Sequence, residues 1–83
     1  MSEEATIIAK IGLDIEPPAK EPIFISLSNY MNKKYLDIRK YYKDSADEFK
    51  PTKKGITMTL PQLKDFIKSI DENMTDIENW FNH

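Results

Sequence analysis

Tyr30, Tyr35, Tyr41 and Tyr42 stand among Lys33, Lys34, Arg39, Lys40, Lys43, Lys50, Lys53 and Lys54 in the middle of this chain. Cations interleaved with aromatic rings suit one chemistry above others. Phosphates attract the cations, and unpaired bases offer π-faces on which rings stack. Only Asp37, Asp44, Asp47 and Glu48 oppose these cations, so the segment carries +4 within a chain whose formal charge is −2. Residues 1–22 and 61–83 each balance at −3. The sequence pI of 5.3 therefore hides a local positive field.

Each feature also has a plainer reading. A tyrosine is as readily a core or interface ring as a stacking platform. Most lysine runs are ordinary solvated loops. Against that stands the spacing of Lys50-Pro51-Thr52-Lys53-Lys54-Gly55, where proline and glycine shape a turn around clustered charge. With Lys33 and Arg39 these lysines could line a groove that follows a phosphate backbone. Arg39 is the single arginine, and its planar fork suits phosphate or a stacked base, unless Asp37 simply pairs with it.

Catalysis finds little support. The one histidine is the last residue, His83, and no nucleophile–base pair, glycine-rich phosphate loop or metal-ligand spacing is present. No enzyme activity, metal or cofactor is expected. The absence of cysteine excludes disulfides, and the sequence has no apolar run near the roughly 20 residues needed to span a bilayer. The acidic start MSEEATIIAK is unlike a secretory signal. An intracellular location is expected: nuclear in a eukaryotic cell, otherwise cytoplasmic or nucleoid-associated, a viral protein in its host cell included.

The elements that must position these residues follow from pattern. After a frayed start over residues 1–5, Thr6 to Ile15 reads as a short strand weakened by Gly12. The stretch EPPAKEP reads as an extended linker, so residues 1–22 form an acidic N-terminal segment and 23–83 the main domain. Alternation predicts strands over Ile23–Asn29 and about Lys34–Tyr42, with a turn at Asn29–Asn32. A long loop, KDSADEFKPTKKG, then leads to a short strand over Ile56 to Met58 or Thr59. Thr59 and Gln62 form a capping box with Pro61 in the first turn. Leu63, Phe66, Ile67, Ile70, Met74, Ile77 and Phe81 then make one apolar helical stripe, with a break left open near Asp71 to Met74. The fold class is α+β: an antiparallel four-stranded sheet followed by one C-terminal helix. So long a stripe exceeds what a small sheet can cover, which points to a homodimer joined through Phe66, Ile70, Met74, Ile77 and Phe81.

Two motifs carry a family resemblance. Tyr35-Leu36-Asp37-Ile38-Arg39-Lys40-Tyr41-Tyr42 is similar to a hydrophobic-Asp-Ile-Arg-x-aromatic-aromatic strand, and Phe49-Lys50-Pro51-Thr52-Lys53-Lys54-Gly55-Ile56 to a K-P-x-[KR]-K-G-[IV] loop. In this order the pair resembles the single-stranded-DNA-binding domain of the transcriptional coactivator positive cofactor four, over about Ile23 to Asp71. The resemblance implies a β-β-β-β-α subunit that dimerises through its helices and binds melted DNA with little sequence preference. It places stacking rings at Tyr30 and Tyr42 and backbone-contacting cations at Lys33, Arg39, Lys50, Lys53 and Lys54, with Pro51 and Gly55 shaping the loop. Tyr30 and Tyr42 stand where the family often has phenylalanine and tryptophan, and Met31 where it is commonly basic. The serine-rich acidic tail of the animal members is not seen.

The expected function is sequence-nonspecific binding of single-stranded DNA, RNA not being distinguished from it, during transcription and in replication or repair. Transcription or replication proteins are expected partners, and no membrane is. The alternative is a protein-interaction module of the transcription machinery, whose helix stripe binds a partner while the basic segment meets an acidic surface.

Overall fold

The computed structural model describes residues 4–83. The frayed start expected over residues 1–5 falls, for residues 1–3, outside the described residues. From Glu4 the chain is already in strand β1 (Glu4–Ile11), followed by β2 (Ile23–Tyr30), β3 (Lys33–Lys43) and β4 (Phe49–Met58). Helices α1 (Leu60–Glu72) and α2 (Met74–Phe81) complete the order. The strands form one antiparallel meander, β1-β2-β3-β4.

Several boundaries differ from the sequence expectation, each for a local reason. The first strand ends at Ile11 because Gly12 takes φ +103°, a backbone that turns the chain back on itself. Residues 12–22 are consequently a closed loop and not an extended linker. Ala19 N–H donates to Gly12 O at 2.8 Å, and buried Pro22 accepts from Tyr41 N–H at 2.9 Å. The turn between β2 and β3 is only Met31-Asn32, both left-handed at φ 52° and 63°, so Tyr30 stays in its strand.

The long basic loop resolves largely into strand. The connection after β3 is held by Asp44, whose Oδ1 accepts from Ala46 and Glu48 N–H, each at 2.9 Å. From Phe49 the chain is already β4, with Pro51 opposite Tyr41. Proline is tolerated because β4 is the last strand of the sheet, where one edge needs no partner. Register slips between Arg39 and Tyr41 in the β3–β4 pairing, and again between Ile7 and Ala9 in the β1–β2 pairing. Both edge strands are therefore bulged.

The capping box forms as expected: Thr59 N–H donates to Gln62 Oε1 at 3.0 Å, and Gln62 N–H reaches Thr59 Oγ1 at 3.5 Å. The single helix expected is two. Asn73 ends α1 by donating its side-chain N–H to Ser69 O at 2.8 Å, which places the break inside the segment left open.

Among the described residues, Phe24 (1% exposed) and Met58 are the only buried large hydrophobic side chains. Phe24 lies 4.4 Å from the Tyr41 ring in a stacked arrangement and 5.4 Å from Phe49 edge-on, and Lys10 Nζ sits 5.5 Å over its face. No helical side chain is buried. The radius of gyration, 14.9 Å, exceeds the ~12 Å typical of a compact chain this long. No helix among the described residues is long and apolar enough to cross a membrane. Because one ring joins all four strands, Phe24→Ala should lower stability by ~3–5 kcal/mol. Urea unfolding of both proteins at equal concentration tests this, and a loss under ~1 kcal/mol would remove Phe24 as the centre of the sheet.

Candidate nucleic-acid interface

Strand register sorts the central residues onto two faces. Tyr30, Ser28, Ser26 and Phe24 of β2 lie opposite Lys33, Tyr35, Asp37 and Arg39 of β3. This first face carries an open concavity lined by Tyr30, Tyr35, Asp37, Arg39, Tyr41 and Pro51. The second face carries Ile25, Leu27, Leu36, Ile38, Ile56 and Met58. There an apolar groove runs from Leu27 and Leu36 to Leu60 and Leu63 of α1.

Arg39 is held firmly on the first face. Its Nε donates to Asp37 Oδ2 at 3.2 Å, and Nη1 donates to Thr52 O at 3.1 Å. Nη2 lies 3.2 Å from Asp37 Oδ1, an ion pair without hydrogen-bond alignment, so that buried oxygen has the charge of Arg39 but no hydrogen bond. The pairing with Asp37 that the sequence left open is thus formed, and it takes up part of the arginine fork. Gly55, directly across from Arg39, makes this possible. A Cβ there would come within 2.8 Å of Arg39 Cζ and 2.9 Å of its Cβ and Cγ.

The tyrosines divide between faces. Tyr41 stacks on Phe24, so Tyr42, the next residue of the same strand, turns to the opposite side. Tyr30 shares the Phe24 face. The two rings given a stacking role by the resemblance therefore do not converge within one subunit, although both are open to solvent, at 41% and 43%. Each has a cation directly across the ladder: Lys33 opposite Tyr30, and Lys50 opposite Tyr42. Side chains in such positions stand roughly 5 Å apart at Cβ. The structure thus assembles two cross-strand pairs of ring and cation.

The remaining lysines are arranged unevenly. Lys50 Nζ pairs with Glu48 at 3.3 Å, Lys43 with Asp47 at 3.5 Å, and Lys54 with Glu21 at 3.6 Å. Lys33 and Lys53 have no ion pair among the described residues. Pro51 lines the concavity, and Thr52 pins the bulge beside it. Thr52 Oγ1 donates to Lys40 O at 2.8 Å and accepts from Lys54 N–H at 3.0 Å. No local pattern signals this threonine's role, which depends on the slip in register. Of the residues expected at a dimer interface, Phe66, Ile70, Met74 and Phe81 are exposed and Ile77 is half-buried. Among the described residues no group of carboxylate and histidine side chains could hold a metal ion.

This sheet, with a basic bulged edge and two ring–cation pairs, is an α+β scaffold suited to a polyanion carrying exposed rings. Residues 18–69, more than half of the chain, match the model of the family described as Transcriptional Coactivator p15 (PC4), and the chain belongs to that family. It is the family that the two sequence motifs resemble. At the level of the family, its members are non-enzymatic transcriptional coactivators that bind single-stranded DNA. β1 and α2 lie outside the matched residues. No solved structure is a significant match to the chain.

Gly55→Ala should drive the Arg39 side chain from its seat, since a Cβ cannot occupy the 2.8 Å gap. The expected outcome is a displaced Arg39 Nε–Hε resonance and a stability loss of ~1–3 kcal/mol from uncovering Asp37. An unmoved Arg39 resonance would show that the close approach is not maintained in solution.

Proposed function

We propose that this protein binds single-stranded or locally melted DNA as a homodimer, with little sequence preference, in transcription and in replication or repair. One observation supports this most directly: each exposed candidate stacking ring faces a lysine across the ladder, Tyr30 with Lys33 and Tyr42 with Lys50. A ring and a cation so spaced serve the base and the phosphate of a single nucleotide together. Each stacked base contributes roughly 1–3 kcal/mol. Lys53, Lys54 and Arg39 extend the positive field, while Pro51 and Gly55 fix the strand that carries it. Duplex DNA keeps its bases inside and would gain only the electrostatic part. The protein needs no catalytic step of its own, and its place is wherever such DNA is exposed: nuclear in a eukaryotic cell, otherwise cytoplasmic or nucleoid-associated.

Dimerisation is supported by the surface. The accessible area is 7017 Å², against about 5,100 Å² for a compact monomer of this mass. Covering that excess on two subunits would bury an area in the range of obligate homodimers, roughly 2,000–5,000 Å². The exposed apolar groups that would be covered include Leu27 and Ile56 of the sheet and Phe66, Ile70, Met74 and Phe81 of the helices. A second subunit also supplies another Tyr30 and another Tyr42, which matters because one subunit does not place both rings on one face.

Fluorescence anisotropy with a labelled single strand and its duplex, across a salt series, tests the reading. Tighter single-strand binding is expected, with log affinity falling by about 0.7 per phosphate neutralised for each decade of salt. Tyr42→Ala combined with Lys53→Ala should weaken binding at least tenfold, given ~1–3 kcal/mol for the stacked base alone. Equal affinity for duplex and single strand, or a double variant that binds normally, would refute the assignment. Light scattering should give a mass near twice 9.7 kDa. A stable monomer at micromolar concentration would overturn the interface and turn attention to a heterologous partner of the helices.

A further inference from the structure

Glu21 lies in the loop before β2, outside both sequence motifs, yet its carboxylate reaches the basic edge. One oxygen, Oε1, is 3.6 Å from Lys54 Nζ and 4.0 Å from Lys40 Nζ. Two ammonium groups converging on one oxygen mark a place where an anion is favoured. We propose that Lys40 and Lys54 form a binding site for a backbone phosphate, which Glu21 fills in the free protein as a built-in competitor. The site rests on the single-strand reading and adds Lys40 to the cations that touch the strand.

The two lysines are spaced by the fold and not by chance. Thr52 Oγ1 donates to the backbone carbonyl of Lys40 and accepts from the backbone N–H of Lys54, so one hydroxyl links both positions. Glu21 is positioned just as definitely. It precedes Pro22, which is buried and whose carbonyl accepts from Tyr41 N–H, and the loop behind it is closed by the bond from Ala19 to Gly12. The carboxylate is therefore delivered by ordered backbone at both ends of the contact.

Its hold on the lysines is nevertheless weak. All three side chains are substantially exposed, and neither separation is within hydrogen-bond distance. A single carboxylate also leaves the pair of lysines with one uncompensated positive charge. A phosphate can present the same oxygen with two neighbours and release condensed counterions when it binds, an advantage that Glu21 lacks. Lys43 and Lys50 differ from this pair. Each meets a carboxylate of its own β3–β4 connection, and no second lysine shares it.

The test uses the full chain and two probes, a labelled oligothymidylate of ~20 nucleotides and inorganic pyrophosphate. Glu21→Gln should bind the oligonucleotide up to roughly fivefold more tightly at low salt, the scale of an exposed ion pair. The salt slope should steepen, because no displaced carboxylate remains beside the bound phosphate to offset its neutralisation. Adding Lys40→Gln to that variant should return affinity and slope to those of the unaltered protein. Pyrophosphate should shift the amide resonances around Lys40 and Lys54 more strongly in Glu21→Gln than in the unaltered protein. If the unaltered protein binds the oligonucleotide but Glu21→Gln does not improve it, the site is refuted and the single-strand reading stands. If no variant binds the oligonucleotide while pyrophosphate still shifts both lysines, the single-strand reading falls and the anion site remains. Absence of any pyrophosphate shift at the two lysines refutes the site outright.

Discussion

The ring of Phe24 is the contact on which the rest of this structure depends. Phe24 belongs to β2; Lys10 of β1, Tyr41 of β3 and Phe49 of β4 each place a group against it. In a sheet with so few buried apolar side chains, this one ring ties the side chains of every other strand together. Phe24 also fixes orientation. By holding Tyr41 on its own face it turns Tyr42 outward on the other, and it keeps Tyr30 and Arg39 in register around a shared concavity. The stack that buries Phe24 thus also turns Tyr42 toward solvent.

The two faces of the sheet divide the physical work. One is polar and concave, with a fixed Asp37–Arg39 pair at its floor and tyrosines around it. The other is apolar and continues onto α1. Charge is segregated along the chain in the same sense, acidic in the helical third and positive through β3 and β4. Acidic helices repel a phosphate backbone, so under the proposed function a single strand would be directed toward the sheet and its basic edge.

Much of this was legible in the sequence, because the strongest signals are periodic. Alternation over Ile23–Asn29 and the Thr59–Gln62 cap located β2 and the start of α1 closely. What escaped was everything decided by partners distant in sequence. Pro51 and Gly55 look like loop residues locally, and only the edge position of β4 and the side chain of Arg39 lying over Gly55 explain them as strand. EPPAKEP, residues 16–22, looks extended because three of its seven residues are proline; the closure of the loop over residues 12–22 depends on Gly12 and on a carbonyl met by Tyr41. The helix break, left open between Asp71 and Met74 by the pattern, is set by Asn73 bonding back to Ser69. For the candidate interface, sequence named the rings and cations but not their pairing, since which lysine opposes which tyrosine is a property of register.

Both outer strands of this sheet are interrupted, β1 near Ile8 and β4 between Pro51 and Gly55. An open sheet invites further strands to join at its margins, and a chain that grows in that manner has no natural end. The bulges, together with Pro51 and the lysines beside it, spoil both margins as templates. Copies of this chain are thereby discouraged from joining strand to strand into a filament. Association through the exposed apolar faces, as proposed for the dimer, would instead stop at a finite number of copies when its symmetry closes.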